Sequence, residues 1–505
     1  MKFDELLAQQ LSMRLHYRKR KAAGAPVLKA KRVLTTKLLT ALPFGLTRAQ
    51  QRVTREIEGD LAQKYPMQRL LQGDVGSGKT IVAALAALQA VENGGQVAIM
   101  APTEILAEQH YRKFSSWLTP LGVSVTWIAG GLRKREKALA LGAVAAGTTQ
   151  VTVGTHALFQ EDVRFRHLTL AIIDEQHRFG VHQRLALRLK GTASDDSAQP
   201  HQLMMSATPI PRTLAMSYYA DLDVSVIDEL PPGRTPVATK LFSYGRRDEV
   251  VQRVRDACID GSQAYWVCPL IEEHDPGPRN SEPGYGREPE GGEARLSVNT
   301  PPKSKRGPEA LQLQAALQTY ETLKATFPEL RVGLVHGRLK SDEKAAVMTA
   351  FQEGDVHLLV ATTVIEVGVD VPNATLMVIE HAERMGLSQL HQLRGRVGRG
   401  AGPSACILLY QHPLTPTARE RLKVIHENHD GFEVARHDLR LRGPGELLGA
   451  RQSGVPMLRF ADLSVDLELL ERARGVADRL LRDNPGAVHA HLARWLGGRH
   501  DLLKV

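Results

Sequence analysis

Short, nearly unbroken apolar runs alternate along this chain with longer stretches in which Leu, Ala and Val recur at helical spacing. Between about residues 46 and 230, the runs Met67–Leu71, Val97–Ala101, Val123–Ile128, Val151–Val153, Ala171–Asp174 and Leu203–Ser206 predict strands. Ile81–Ala90 and Glu104–Leu118 predict helices between them. Strands without a polar face belong in a sheet covered on both sides, and strand–helix alternation predicts parallel order with right-handed crossovers. A second series runs from about 236 to 412, with strands predicted at Ala264–Cys268, Arg331–Val335, His357–Val360, Thr375–Glu380 and Ala405–Tyr410. Residues 5–17 and 32–41 place Leu near a 3.6-residue period, and the chain from about 413 onward reads as helical, broken at Gly443-Pro444-Gly445.

One stretch of the second series departs from this pattern. Residues 275–308 hold 13 Pro or Gly in 34 positions, with mixed charge and little apolar content. Such a segment buries too little surface to offset its ordering entropy, so a disordered surface insertion without chemistry is expected there. Four regions follow: a basic helical linker over 1–45, a first α/β lobe over 46–232, a second over 233–412, and a helical region over 413–505.

The composition narrows the class. The 505 residues allow about three domains by length. Apolar residues at 43% and charged residues at 24% are ordinary for a globular protein, which excludes whole-chain disorder and collagen. No run of ~18 uncharged apolar residues occurs, so no helical membrane span is expected. The opening Met1-Lys2-Phe3-Asp4-Glu5 leads into no apolar signal core. Cys258, Cys268 and Cys406 are isolated, lack metal spacing, and read as small buried hydrophobes in a reducing cytoplasm. A soluble, intracellular protein is the expectation.

The net charge of +10 is unevenly spread, for the first 40 residues hold ten Lys or Arg against Asp4 and Glu5. Either this end meets a polyanion, where each neutralised phosphate adds affinity through counterion release, or it is a solvated helix surface. Charge alone does not choose.

The local chemistry does. Gly73-Asp74-Val75-Gly76-Ser77-Gly78-Lys79-Thr80 matches G-x-x-x-x-G-K-[ST], follows a predicted strand and opens a predicted helix. The glycines let backbone N–H groups wrap phosphates at a helix N-terminus. Lys79 reaches the β and γ phosphates and the Thr80 hydroxyl takes Mg²⁺. Asp174-Glu175-Gln176-His177 closes the strand Leu170-Ala171-Ile172-Ile173. Asp174 is placed to hold Mg²⁺ and Glu175 to orient and deprotonate the attacking water, whereas two solvated acids capping a strand would be the bland alternative. Gln176 and His177 fit a role in coupling nucleotide state to neighbouring segments better than one in binding metal. Far downstream, Gln389 to Gly400 (QLHQLRGRVGRG) sets three arginines among glycines. Arg396 and Arg399 are candidate arginine fingers that stabilise charge on the transferred phosphoryl group, against a merely basic surface loop.

The order of motifs resembles that of superfamily 2 helicases, and most of all the RecG family of branched-DNA helicases. Further stretches that carry the resemblance are Leu46 to Gln50, Pro102 to His110 (PTEILAEQH), Val153 to Leu158 and Asp174 to Gly180 (DEQHRFG). They continue with Met205 to Thr213, Leu334 to Arg338, Ala361 to Asn373, and Asp438 to Gly454 (DLRLRGPGELLGARQSG). Together they cover roughly residues 45–455. The resemblance implies two RecA-like parallel-sheet P-loop lobes facing each other across an ATP cleft, with a helical linker before them and a helical region after. It implies that Gln50 reads adenine, and that Ser206 and Thr208 link hydrolysis to movement on DNA. Glu366, Gly368 and Asp370 are expected at the cleft, Asp370 against ATP. Arg440, Arg442, Arg451 and Gln452 are expected in the lever that drives duplex along. The implied partners are ATP, Mg²⁺, double-stranded and branched DNA, and a single-stranded-DNA-binding protein, with the chain acting as a monomer and away from membranes. Two departures stand out. The family's N-terminal wedge, which splits the fork, is not visible, and the 275–308 stretch is longer than the usual connection. The activity implied is ATP-driven translocation on duplex DNA, with fork regression and Holliday-junction migration in recombination and repair. The alternatives are a DNA-stimulated ATPase or ATP-gated clamp without branch specificity, and an RNA helicase.

Overall fold

A computed structural model describes residues 1–160, 162–175, 198–207, 222–231, 236–268, 308–362, 371–398, 400, 402–442, 458–461 and 466–496. The chain opens with helices α1 (Lys2–Ala22), α2 (Val33–Ala41) and α3 (Arg48–Leu61). A first sheet then forms from β1 (Gln68–Gly73), β2 (Gln96–Met100), β3 (Val125–Ile128), β4 (Val151–Gly154), β5 (Leu168–Ile173), β6 (His201–Ser206) and β7 (Asp223–Ile227). Among the described residues its order is β3-β4-β2-β5-β6-β1-β7, with every neighbouring pair parallel. Helices α4 (Lys79–Glu92), α5 (Glu104–Leu118) and α6 (Lys134–Ala146) connect its strands.

Alternation along each strand explains why both faces are covered. Leu71, Val97, Ile99 and Ile172 join the core shared with α3 and α4, while Leu70, Ala98, Ala171 and Ile173 join the core on the opposite face. Helix α4 is buried without interruption from Ile81 to Val91, which is why its sequence is apolar all round rather than amphipathic.

The second sheet is built from β8 (Ala238–Ser243), β9 (Gln263–Val267), β10 (Val332–Val335), β11 (Leu358–Ala361), β12 (Ala374–Ile379) and β13 (Ala405–Tyr410). Its order is β10-β11-β9-β12-β13-β8, again parallel throughout. Helices α7 (Arg247–Ile259), α8 (Pro308–Thr326), α9 (Ser341–Gln352) and α10 (Leu387–Arg394) accompany it. Pro308, the last residue of the expected insertion, opens α8; residues 275–307 lie outside the described residues. Strands β7 and β8 were not expected from the pattern. Both are edge strands with polar positions, Asp223 and Ser225 in one and Thr239 and Lys240 in the other. They lack the unbroken apolar run that marks a central strand.

Helices α11 (Pro416–Glu427), α12 (Gly431–Arg442), α13 (Leu467–Asp483) and α14 (Pro485–Leu496) follow. The last two share a core with the first helix: Leu6, Leu7 and Leu11 of α1 pack with Leu470, Ala473, Ala477, Val488 and Leu492. Ion pairs join the same elements, Lys2 to Asp466 at 2.9 Å and Arg14 to Asp478. Farther along α1, the buried Arg20 donates to Asp223 Oδ2 at 3.0 Å and to the Gln68 carbonyl at 3.4 Å. Residues 24–28 then run along the first lobe, where the amide of Leu28 donates to the Leu61 carbonyl at 2.9 Å. At least six of the ten N-terminal cations (Lys2, Arg14, Arg18, Arg20, Lys31 and Arg32) are therefore engaged within the fold. Arg20 is buried, whereas Arg18, Lys19 and Lys21 at the same helix end stay exposed.

The three cysteines are buried, and burial pushes the thiols of Cys258 and Cys406 up to about 12. No helix among the described residues is long and apolar enough to cross a membrane.

Candidate nucleotide site between the two sheets

Strand β1 ends at Gly73, and the chain turns through Asp74–Gly78 into α4. Gly76 and Gly78 are left-handed, with φ of 77° and 86°. A Cβ at Gly78 would stand 2.2 Å from Gln50 Nε2, so only glycine fits there. Lys79 Nζ donates to the carbonyls of Gly73 at 2.7 Å and Asp74 at 3.0 Å, which holds the ammonium over the loop. Gln50 braces the same loop from α3. Its Oε1 accepts from the Thr47 amide at 3.0 Å, and its Nε2 donates to the Ser77 carbonyl at 2.8 Å. The first bond belongs to the capping box that starts α3.

Asp174 follows β5, two strands from β1. Its amide donates to the Met100 carbonyl at 2.8 Å. Its Oδ1 accepts from the Glu175 amide at 3.0 Å, and its Oδ2 lies 2.7 Å from His110 Nε2. Burial by itself would raise this carboxyl, but the His110 contact and nearby Lys79 outweigh it and hold the group below the usual carboxylate value. An anionic carboxylate only accepts, so His110 Nε2 carries the proton in this bond. Glu175 sits at φ 49°, a left-handed backbone that costs a non-glycine residue energy. The strain lies in the residue assigned to the attacking water.

The second lobe closes the site. A cleft of about 1130 Å³ is lined by Lys79, Thr80, Asp174 and Glu175 on one side and by Arg396 and Gly400 on the other. Arg396 is a charged residue only 8% exposed. Before it, α10 lands on the phosphate loop: a Cβ on Gly395 would meet Val75 Cβ at 2.7 Å, and His391 Nε2 lies 2.6 Å from Asp74 Oδ1. Burial would raise the Asp74 carboxyl, yet the His391 bond, the Val75 amide and Lys79 hold it below its usual value. Arg394 turns away from the cleft. It donates to the carbonyls of Ile425 and Asn428, both at 2.8 Å, and through Nη2 to His391 Nδ1 at 3.0 Å.

The structure thus brings Gln50, the loop Gly73 to Thr80, Asp174, Glu175 and Arg396 to one cleft. Ser206 ends β6, buried and in register with Gln72 of β1. Arg440 lies exposed on α12, and Arg442 ends that helix. Gln176, His177, Thr208, Glu366, Gly368, Asp370, Arg399, Arg451 and Gln452 lie outside the described residues. Sequence reasoning assigned no role to His110, His391 or Arg394. A signal existed for the first: Ala107, His110, Phe114 and Leu118 form the buried stripe of α5, and an imidazole on an apolar stripe wants a partner. His391 had none, because its partner lies 317 positions away.

The DEAD/DEAH box helicase family matches residues 47–217, the helicase conserved C-terminal domain matches 307–401, and the C-terminal part of domain 3 of ATP-dependent DNA helicase RecG matches 428–495. The chain is 53% identical to ATP-dependent DNA helicase RecG of Escherichia coli over 494 residues, 98% of this chain and 66% of that one. It is 52% identical to the RecG of Acidithiobacillus ferridurans over 99% of this chain and 68% of that one. A solved structure of RecG bound to a three-way DNA junction superposes with a TM-score of 0.70 at 41% identity, covering 93% of this chain and 56% of that one. The chain therefore spans about two thirds of the length of the curated relatives it matches.

Proposed function

The chain belongs to the RecG family of ATP-dependent DNA helicases, and we propose that it couples ATP hydrolysis to movement along double-stranded DNA and acts on branches, regressing forks and migrating Holliday junctions in recombination and repair. One observation carries the reading. Lys79, Thr80, Asp174 and Glu175 from the first lobe meet Arg396 from the second in a single cleft. A phosphate-binding turn with its charge-stabilising arginine on a separate body makes hydrolysis depend on lobe closure, and closure is a movement that can be passed to DNA.

In this reading the residues divide the work. The amides of Asp74 to Gly78 and the Lys79 ammonium receive the phosphates; Lys79 exchanges its two loop carbonyls for phosphate oxygens. The Thr80 hydroxyl and the anionic Asp174 form an oxygen donor set that suits a small hard cation, and would hold Mg²⁺. When bound, that ion neutralises charge on the phosphate oxygens. Glu175 orients the attacking water and accepts its proton. Arg396 and Arg399 stabilise the charge that develops as the phosphoryl group transfers. Gln50 reads adenine and Asp370 contributes to ATP binding. Ser206, Thr208, Gln176 and His177 pass the change to DNA-facing segments. Arg440, Arg442, Arg451 and Gln452 form the translocation lever, reached from the cleft through α10, Arg394 and the end of α11. A single-stranded-DNA-binding partner, action as a monomer and a place in the bacterial cytoplasm complete the proposal.

The test is ATP turnover by the full chain with linear duplex, forked DNA and RNA as stimulators. Strong stimulation by duplex and fork, and little by RNA, is expected. Stimulation by RNA above DNA would reverse the substrate assignment, and tight DNA binding without turnover would make the chain an ATP-gated clamp.

A further inference from the structure

We propose that His391 is a positioning residue that latches the second lobe onto the phosphate-binding loop through Asp74. This rests on the ATP-site reading above and adds to it a direct contact between the lobes that involves no arginine finger. Four observations point the same way. His391 is 3% exposed, and its Nε2 lies 2.6 Å from Asp74 Oδ1 across the lobe boundary. The ring's other nitrogen lies 3.0 Å from Arg394 Nη2. A guanidinium only donates, so Nδ1 is the acceptor and the proton of the neutral ring sits on Nε2, pointing at the carboxylate. Arg394 is itself fixed by the carbonyls of Ile425, Asn428 and His429, which leaves the imidazole one orientation. The approach is close because position 395 has no side chain: a Cβ there would collide with Val75.

Asp74 has two duties in this arrangement. Its carboxylate receives His391, and its main-chain carbonyl receives Lys79 at 3.0 Å. When Lys79 leaves that carbonyl for a phosphate, the peptide it was holding is released, and the change reaches His391 within one residue. The latch thereby reports the state of the phosphate loop to α10, and from there to the arginines that follow it.

Two readouts need no catalysis. First, imidazole ¹⁵N spectra of the histidine-labelled full chain near pH 7.5 should show His391 as the neutral Nε2–H tautomer. An Nδ1–H ring would overturn the latch, and this measurement needs no variant beyond one for assignment. Second, dyes can be placed on cysteines introduced at the exposed positions Leu139 and Leu317, because the native cysteines are buried. Energy transfer between them in nucleotide-free protein should fall, or broaden in distribution, in His391→Ala. It should return in His391→Gln, which keeps a donor and an acceptor. DNA-stimulated turnover should drop on the order of tenfold in His391→Ala, from loss of one charge-assisted hydrogen bond, while nucleotide affinity stays within about threefold. Unchanged transfer and unchanged stimulation in His391→Ala would overturn the proposal, as would a defect that Gln does not relieve. A wild-type chain that hydrolyses no ATP would sink the functional reading instead, and the spectra and transfer would still judge the latch.

Discussion

The two parallel sheets are built alike and contribute differently. Each has a core on both faces and helices between its strands. In the first, the groups assigned to phosphate, metal and water stand at the ends of β1 and β5, held by bonds within the same lobe: Lys79 to Gly73, Asp174 to His110 and to the Glu175 amide. In the second, the groups that meet the phosphate loop come from the segment His391 to Arg396, while Gln352, Pro372 and Gly400 complete the lining. Arg396 is 8% exposed and lines the cleft opposite Lys79 and Asp174. Under the proposed function, the first lobe holds its groups ready and the second adds its own only where the lobes meet. In the proposed function, that division is what would make turnover conditional on closure.

The sharpest way to break this comparison is to remove the second lobe's charge. Arg399→Ala and Arg396→Ala should lose ~10³-fold or more of DNA-stimulated turnover, the usual worth of an arginine finger, and still bind ATP and DNA. Stimulation that survives within a few-fold in both would make the second lobe a spectator. Next comes the first lobe's base. Glu175→Gln should reduce turnover by ~10²–10⁴ while ATP affinity persists, because shape is kept and the base is lost. Lys79→Ala should instead lose affinity, through a missing charge-assisted phosphate contact. Paired binding and kcat measurements separate the two, and near-normal turnover in Glu175→Gln would remove it from the reaction.

Smaller effects sharpen the link between the lobes and DNA. Gln452→Ala and Arg442→Ala should retain DNA-stimulated turnover within a few-fold yet fail to displace a triplex strand; normal displacement by both would take the lever role away. For a polypeptide of these 505 residues, binding to linear duplex should fall steeply with salt, and preference for a fork over linear duplex of equal length should be only a few-fold. A strong fork preference would place branch recognition within residues 1–505. The smallest expected effect is on stability. His201 of β6 is buried, accepts at Nδ1 from the Met67 amide at 3.0 Å and donates from Nε2 to the Pro26 carbonyl at 2.7 Å. Burial holds its pKa below the ordinary 6.5. The unfolded chain then binds the proton more readily than the fold, so this residue's contribution is complete above pH 6.5 and declines as pH falls toward the folded value. Urea titrations at a series of pH values should show that slope, flattened in His201→Gln.

Much of this molecule was legible before any tertiary information. Gly73 to Thr80 and Asp174-Glu175 could be found because strand, turn and helix start are local, and a few adjacent residues suffice to build each. The central strands announced themselves through apolar runs such as Val97–Met100 and Leu170–Ile173, because burial on both faces leaves few polar positions. The edge strands β7 and β8 did not, since half their surface meets a polar environment and the apolar run is broken. The N-terminal charge was visible, but its use was not. Lys2 and Arg14 find Asp466 and Asp478 more than 460 positions away, and Arg20 is drawn into the first lobe by Asp223. His110 beside Asp174 and His391 beside Asp74 have the same character: an ordinary residue that acquires a role from a partner the chain brings to it. Sequence by itself determined the periodic elements, the parallel class and the phosphate-binding turn, because these follow from short-range sterics and burial. The tertiary structure alone decided which side chains oppose each other across the cleft and which cations turn inward, because hydrogen bonds and ion pairs act over about 3 Å and only folding sets that distance.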